Sequence, residues 1–409
     1  MVIGCFIVPI KLSRWMVLKR VLTVAVILMT LFLAVIYADD ANEELPASSI
    51  FEDLSIETYN TGDVNINARS AIVMDFETGR VLFEKNAYQR RPMASTTKVM
   101  TAIVALENSS LDELVTVSRN AASIHGSLMH LKAGETLTLR ELMYGLLLCS
   151  GNDAAIAIAE HVGGSVDKFL EMMNEKAREI GALNTNFTTP HGLDDPGHYS
   201  TAYDMALITR YALNNPVFNE IVKTTSIQIG NRYLYNTNEM LTGYEGADGV
   251  KTGYTGKAGR CLITSATRGD RRFISVVLFC DSRVQRALSS KIILDYAFSR
   301  YNLHTVIKSE YLGTLPVIKG YENSLPVYVE KTVSMPLTEE EAANLYTRIS
   351  LPEYIHAPVT EKTVVGTLSV YLDDKILCES PIRAGKSIKR KSILQYFIDV
   401  FIEWLELIR

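Results

Sequence analysis

Residues Arg91–Glu107 read RPMASTTKVMTAIVALE. A serine, two threonines and a lysine stand at the head of an apolar, helix-forming run. On a helix, residues three apart share a side, so Lys98 lies one turn from Ser95. Two readings compete. Ser and Thr at a helix start are ordinary caps. Alternatively, Ser95 is a nucleophile and Lys98 is its base. A serine hydroxyl needs an adjacent base in order to attack, and a lysine can serve when burial or neighbouring cations favour its neutral form. S-x-x-K alone does not decide, because it recurs by chance in chains of this length.

Two further short motifs shift the balance. LLLCSGNDAA places Ser150-Gly151-Asn152 in a turn between apolar helical runs. GADGVKTGYTGKAGRCL places Lys251-Thr252-Gly253 at the start of a strand, among glycines that allow close backbone approach. Each has a plain reading, a helix–helix turn and a glycine-rich β-edge. Together, in this order, they match the S-x-x-K, S-x-N, K-T-G set of the penicillin-recognising serine enzymes.

The chain resembles a D-alanyl-D-alanine carboxypeptidase of the low-molecular-mass penicillin-binding protein type (serine peptidase family S11). MASTTKVMTA, LLLCSGNDAAIAIAEHVGGS, NTNFTTPHGLDDPGHYSTAYDMA and GADGVKTGYTGKAGRCLITSA carry the likeness, over roughly residues 68–301. It implies an α/β (α+β) fold of the β-lactamase and penicillin-binding-protein transpeptidase kind. It also implies residue roles. Ser95 attacks the carbonyl between two D-alanines, Lys98 is its base, and Ser150 relays a proton to the leaving amine, oriented by Lys98 and Lys251. Asn152 holds the substrate amide, while Lys251 and Thr252 bind the terminal carboxylate. The backbone N–H groups of Ser95 and of Tyr254, which follows Gly253, form the oxyanion hole; one such donor is worth about 3 kcal/mol. No metal or organic cofactor is implied. Stem peptides of peptidoglycan ending in D-Ala-D-Ala and β-lactam antibiotics are the expected partners. Some relatives carry histidine after K-T-G where this chain has Tyr254. His191, in PHGLDD, reads as a structural loop residue.

Upstream of Ser95, ARSAIVMDFETGRVLFEKN reads as a hairpin around Glu77-Thr78-Gly79. Downstream, LTLRELMYGLLLCSGNDAAIAIAEHVGG, SVDKFLEMMNEKAREIGAL and TAYDMALITRYALNNP are helical, with Gly163-Gly164 and Asn-Asn-Pro as stops. Strands resume near Thr225, CLITSATRGDRRFISVVLFC forms a hairpin at Gly269-Asp270, and RVQRALSSKIILDYAFSRY closes as a helix. One sheet from chain-distant strands plus a helical lobe is the economical arrangement.

The flanks suggest export. Lys19 and Arg20 precede an apolar run from Val21 to Ala38, followed by DDANEE. That pattern predicts a leader over 1–38 cut after Ala38; an uncleaved anchor is the alternative, and a start at Met16 would give a more compact leader. Residues 39–65 read as a linker, 66–303 as the carboxypeptidase domain, and 304–385 as a smaller all-β domain rich in short β-branched segments. Residues 386–409 read as an amphipathic helix. Gln395, Asp399, Glu403 and Glu406 form its narrow polar stripe opposite a broad apolar face. Those polar groups oppose spanning, so the helix is expected to lie on the membrane surface, with Lys386, Lys389, Arg390 and Lys391 favouring anionic head groups; a terminal helix packed on the protein's own core is the alternative. The expected location is the outer face of the cytoplasmic membrane, attached peripherally.

The chain has 409 residues, 47% of them hydrophobic, enough for two domains. Its formal net charge of −5 argues against nucleic acid as a partner. Cys149, Cys261, Cys280 and Cys378 show no disulfide framework and no metal-ligand spacing, and read as buried free thiols. Three rival activities fit parts of the pattern. A β-lactamase would share the three motifs, but its class A form needs a water-positioning glutamate that Glu179 does not supply. A transpeptidase or endopeptidase would act on the same peptides with a different acceptor or cut position. A non-catalytic wall-binding scaffold would keep the fold and lose turnover.

Overall fold

The computed structural model describes residues 64–407. The expected leader, the start at Met16 and all but the last two residues of the expected linker lie outside them. By internal contacts the chain divides into two units. Among the described residues, the first comprises 64–74, 83–267 and 273–294; the second comprises 75–82, 268–272 and 295–407.

The hairpin around Gly79 forms as the sequence predicts. β1 (Ser70–Asp75) and β2 (Val81–Lys85) flank a turn in which Gly79 takes a φ of +75°, which glycine adopts without steric cost. Asp75 fixes that turn by accepting from the Thr78 N–H at 2.8 Å. The helical lobe follows: α1 (Lys98–Asn108), α2 (Leu139–Leu147), α3 (Asn152–Gly163), α4 (Val166–Ile180), α5 (Ala202–Ala212) and α6 (Pro216–Lys223). Their ends obey local chemistry. Thr138 and Glu141 form a reciprocal capping box at α2. Ser165 caps α4, and Gly164 (φ +72°) and Gly181 (φ +90°) terminate α3 and α4.

Asn-Asn-Pro closes α5, but the same residues also open α6, a helix that the stop signal alone does not predict. The Asn215 side chain accepts from the Val217 and Phe218 N–H groups, and Pro216 occupies the first turn, where its missing N–H costs nothing. Between α1 and α2 lie the short paired strands β3 (Leu114–Thr116) and β4 (Thr136–Thr138). β5 (Ser226–Ile229) and β6 (Arg232–Tyr235) form a second small pair.

β7 (Ala247–Thr255), β8 (Gly259–Arg268) and β9 (Arg271–Cys280) then join β1 and β2 in a five-stranded sheet of order β2-β1-β9-β8-β7. Strands from before and after the helical lobe thus share one sheet, as expected from strands at both ends of a helical stretch. β7 is an edge strand, antiparallel to β8, with Gly253 opposite Cys261 and Tyr254 opposite Arg260. The K-T-G motif, expected at a strand start, falls in the middle of β7 instead. α7 (Arg283–Arg300) follows β9. Its buried Arg286 makes two hydrogen bonds of 2.9 Å to the buried Glu239 carboxylate. Such a pair is costly to break from one side, because the other charge is stranded in a dry interior.

The second unit carries the short strands expected after His304. β10 (Asn302–Ile307), β11 (Glu310–Ile318), β12 (Ser324–Val329), β13 (Val333–Leu337), β14 (Tyr346–Ser350), β15 (Ile355–His356), β16 (Val364–Leu372) and β17 (Lys375–Ala384) succeed one another. β10 pairs with β13, and the rest form a six-stranded sheet of order β14-β16-β17-β12-β11-β15. Leu315, Val317, Leu325, Val327, Val370 and Ile382 supply its core. One helical turn, Glu339–Ala343, interrupts the all-β expectation; Thr338 and Glu341 cap it reciprocally.

The helix α8 (Ile393–Leu407) ends the described chain, and Ile393, Leu394, Phe397, Val400, Phe401 and Trp404 are exposed on it. Among the described residues no helix is long and apolar enough to cross a membrane.

Candidate active site

The three motifs meet in the first unit. Ser95 does not cap α1. It sits in a single 3-10 turn, Ala94–Thr97, immediately before the helix, and Lys98 is the helix's first residue. That turn still brings i and i+3 side chains together. Lys98 is fully buried, and its Nζ lies 2.8 Å from Ser95 Oγ. Ala94, directly before the serine, has a φ of +49°. A non-glycine residue persists in that left-handed region only where its surroundings hold it.

Lys98 also reaches two pure acceptors. Nζ donates to Asn152 Oδ1 at 2.7 Å and to the His191 carbonyl at 2.8 Å. The Asn152 orientation is fixed from its far end, where Nδ2 donates to the His125 carbonyl at 2.7 Å. Nζ donates to Ser95 Oγ as well, so three acceptors share its N–H groups; as a neutral amine it would keep the Asn152 and His191 donations and turn its lone pair to the Ser95 hydroxyl. Nothing in this arrangement requires a carboxylate to receive the serine proton.

The Ser150–Asn152 turn is held from both sides. α2 ends at Leu147 and α3 begins at Asn152. The buried Asp153 carboxylate accepts from the N–H groups of Met129, Leu131 and Ala154 at 2.9 Å each. Ser150 itself has a φ of +62°, and its buried Oγ has no hydrogen-bond partner. The expected orientation of Ser150 by Lys98 and Lys251 therefore involves no hydrogen bond in this state. Asn152, expected to serve the substrate amide, also has its carboxamide oxygen engaged by Lys98.

On β7, Lys251 is buried and its Nζ lies 3.1 Å from the Thr252 carbonyl. The Thr252 hydroxyl is 2.6 Å from that of Thr237, whose N–H donates to the Leu148 carbonyl, which ties the strand to the segment before Ser150. Gly253 faces the nucleophile: a side-chain carbon there would lie 3.0 Å from the Ser95 nitrogen and 3.1 Å from Ala94 Cβ. A side chain there would push the strand and the nucleophile's turn apart by a few tenths of an ångström. The Tyr254 ring packs under the guanidinium of its cross-strand neighbour Arg260, 3.8 Å from centroid to carbon. The side chain at the position after K-T-G is therefore occupied by a structural contact, while its backbone stays on the edge strand.

Further contacts to the site, from outside the three short motifs, come from the segment 187–199 between α4 and α5. The His191 ring accepts the Leu193 N–H, which fits its expected loop role, but its carbonyl also holds Lys98. A backbone acceptor leaves no mark in residue type. Burial, with Lys98 nearby, pushes the His191 imidazole down to about 3; burial pushes His198 down to about 4, against a smaller opposing effect of Asp195 and Asp194. Both rings are thus neutral near pH 7.

None of the four thiols is in a disulfide, as expected from their spacing, but only Cys261 and Cys280 are buried; Cys149 and Cys378, expected to be buried too, are partly exposed. Burial raises Cys149 to about 11 and Cys280 to about 12, so neither is a ready thiolate. Among the described residues, no cluster of acidic, histidine and cysteine side chains could hold a metal.

Comparison with known proteins identifies the family. Residues 57–282 match the family described as D-alanyl-D-alanine carboxypeptidase, and 301–390 match the C-terminal domain of penicillin-binding protein 5. The chain is 34% identical over 360 residues to D-alanyl-D-alanine carboxypeptidase DacF of Bacillus subtilis, covering 84% of this chain and 92% of that one. It is 35% identical over 364 residues to DacA of Escherichia coli K12, covering 85% and 90%. The crystal structure of penicillin-binding protein 5 from Haemophilus influenzae superposes with a TM-score of 0.72 at 29% identity, covering 80% of this chain and 98% of that one. With its sheet and helical lobe, its Ser95–Lys98 contact and its separate β-rich unit, this chain belongs to the D-alanyl-D-alanine carboxypeptidase family, S11, of low-molecular-mass penicillin-binding proteins.

Proposed function

We propose that the protein is a serine D-Ala-D-Ala carboxypeptidase that removes the terminal D-alanine from peptidoglycan stem pentapeptides. The single observation that carries this reading is the 2.8 Å contact between Ser95 Oγ and a Lys98 amine that also donates to two acceptors. Ser95 Oγ attacks the carbonyl carbon between the two D-alanines and passes its proton to Lys98 Nζ. The carbonyl oxygen, now negative, is received by the N–H groups of Ser95 and Tyr254. The C–N bond then breaks. Ser150, whose hydroxyl has no partner of its own, relays a proton from Lys98 to the leaving amine. Water next hydrolyses the ester and frees Ser95. Lys251 and Thr252 bind the terminal carboxylate, and Asn152 the substrate amide as well as Lys98. In this reading the catalytic domain occupies 66–303 and the β-rich domain 304–385; family matches over 57–282 and 301–390 support two successive domains.

The test is turnover of a pentapeptide ending in D-Ala-D-Ala. The protein should release D-alanine, the Ser95→Ala variant should release none, and penicillin should be held far longer than it is hydrolysed. Rapid penicillin hydrolysis would favour a β-lactamase instead.

The enzyme acts outside the cytoplasm, attached peripherally to the membrane through α8. Its exposed Phe397, Phe401 and Trp404, following Lys389, Arg390 and Lys391, support this. The protein should sediment with vesicles containing anionic lipid, and a chain ended at Lys386 should stay in the supernatant. Equal sedimentation of both would remove the helix from this role.

A further inference from the structure

Thr97 and His198 have no part in the chemistry proposed above, yet both are buried and joined to the nucleophile's turn. The protons between them can be assigned. The Thr188 backbone N–H, which can only donate, lies 3.1 Å from His198 Nδ1, so Nδ1 is the bare nitrogen. His198 Nε2 therefore carries the hydrogen and donates to Thr97 Oγ1 at 2.8 Å. The Thr97 hydroxyl donates its own proton to the Ala94 carbonyl, which can only accept, at 2.8 Å. The chain runs in one direction, from the 187–199 segment to the peptide just before Ser95.

That peptide matters because of planarity. In a trans peptide the carbonyl of one residue and the N–H of the next point in opposite directions within one plane. Holding the Ala94 oxygen therefore sets the direction of the Ser95 N–H. The peptide needs holding, since Ala94 sits at φ +49°. Gly192 closes the other side: a side-chain carbon there would lie 2.0 Å from the Ala94 oxygen, so the loop presses its backbone against this carbonyl.

We propose that His198 and Thr97 are positioning residues that fix the Ala94–Ser95 peptide plane and thereby aim the Ser95 N–H at the substrate carbonyl oxygen. The inference rests on the reading of that N–H as half of the oxyanion hole. His198 suits the task because burial and its edge contact with Phe187, 6.0 Å between centroids, hold the ring neutral and in one orientation.

The test compares Thr97→Val, Thr97→Ser and His198→Gln in the whole protein, with thermal unfolding as a fold control. Thr97→Val should lower kcat for D-alanine release by about 10- to 100-fold, with KM changed by no more than about threefold, as expected for a misaimed oxyanion donor. Affinity for a peptide boronic acid, whose tetrahedral adduct on Ser95 puts an oxygen in the hole, should fall in parallel. Thr97→Ser should recover most of the loss, and His198→Gln should move kcat and boronate affinity in the same direction. In the double variant Thr97→Val/His198→Gln the losses should not add, because one chain is cut twice.

The inference is overturned if a folded Thr97→Val keeps kcat and boronate affinity within about twofold of wild type, if Thr97→Ser is as damaged, or if the losses add. Failure of both Thr97→Val and His198→Gln to fold would assign the chain to stability and also overturn it. A wild-type protein inert toward pentapeptide and penicillin fails differently: it removes the catalytic reading itself, and this inference with it.

Discussion

Replacing Lys98 with methionine should lower the rate of Ser95 acylation by about 10²- to 10⁴-fold, the range for loss of a positioned general base. Methionine keeps most of the buried volume and removes the nitrogen, so the fold should survive. The same substitution strands two acceptors, the Asn152 carboxamide oxygen and the His191 carbonyl, both of which bond to Nζ. Some loss of stability should therefore accompany the loss of rate, about 1–3 kcal/mol for each buried group left unsatisfied. The measurement is the second-order rate of acylation by a labelled penicillin, with unfolding followed in parallel. An acylation rate within tenfold of wild type in a folded Lys98→Met protein would assign the serine proton to another base.

The second large effect is on stability against acid. The ordinary histidine value is 6.5, and burial lowers His191 to about 3 and His198 to about 4 in the folded chain. The stability gained by keeping these rings neutral is complete above pH 6.5 and is lost as pH falls toward the folded values. Below pH 6.5 the unfolded chain binds protons that the folded chain refuses, so the folded state loses ground. Each ring contributes a slope of up to about 1.4 kcal/mol per pH unit between roughly pH 6 and pH 4. Denaturant unfolding at pH 7, 6, 5 and 4.5 should show this decline, and His198→Gln should flatten it by removing one proton-binding site from the unfolded state. A stability that stays level from pH 7 to 4.5 would mean that these rings are not held neutral.

Much of this molecule is legible in the order of its residues, and the reasons are particular. Gly79 and Gly269 mark turns because only glycine takes positive φ freely, and Gly163-Gly164 mark the end of α3. The α5–α6 boundary is half legible: Asn215-Pro216 reads as a stop, while its equal fitness as a start is hidden because caps at the two ends share residue types. Ser95 and Lys98 stand out by spacing, and the two companion motifs give that spacing its meaning. The 3-10 turn that holds them does not stand out, since a spacing of three serves both kinds of helix. The placement of K-T-G within β7 is obscured because glycines on either side of the motif read as a strand boundary. The stretch holding His191 and His198 carries part of the family likeness, but the contacts by which it supports the site do not show in the chain. The His191 carbonyl is backbone, and the bond from His198 to Thr97 spans 101 residues. No local pattern announces a contact of that kind.

The most direct measurement of the central claim is the location of the covalent bond. Protein treated with penicillin, denatured in acid, digested and weighed should carry one added acyl group, on the peptide that contains Ser95, and the Ser95→Ala variant should carry none. An adduct on any other residue, or an unmodified wild-type protein that still releases D-alanine, would contradict the account.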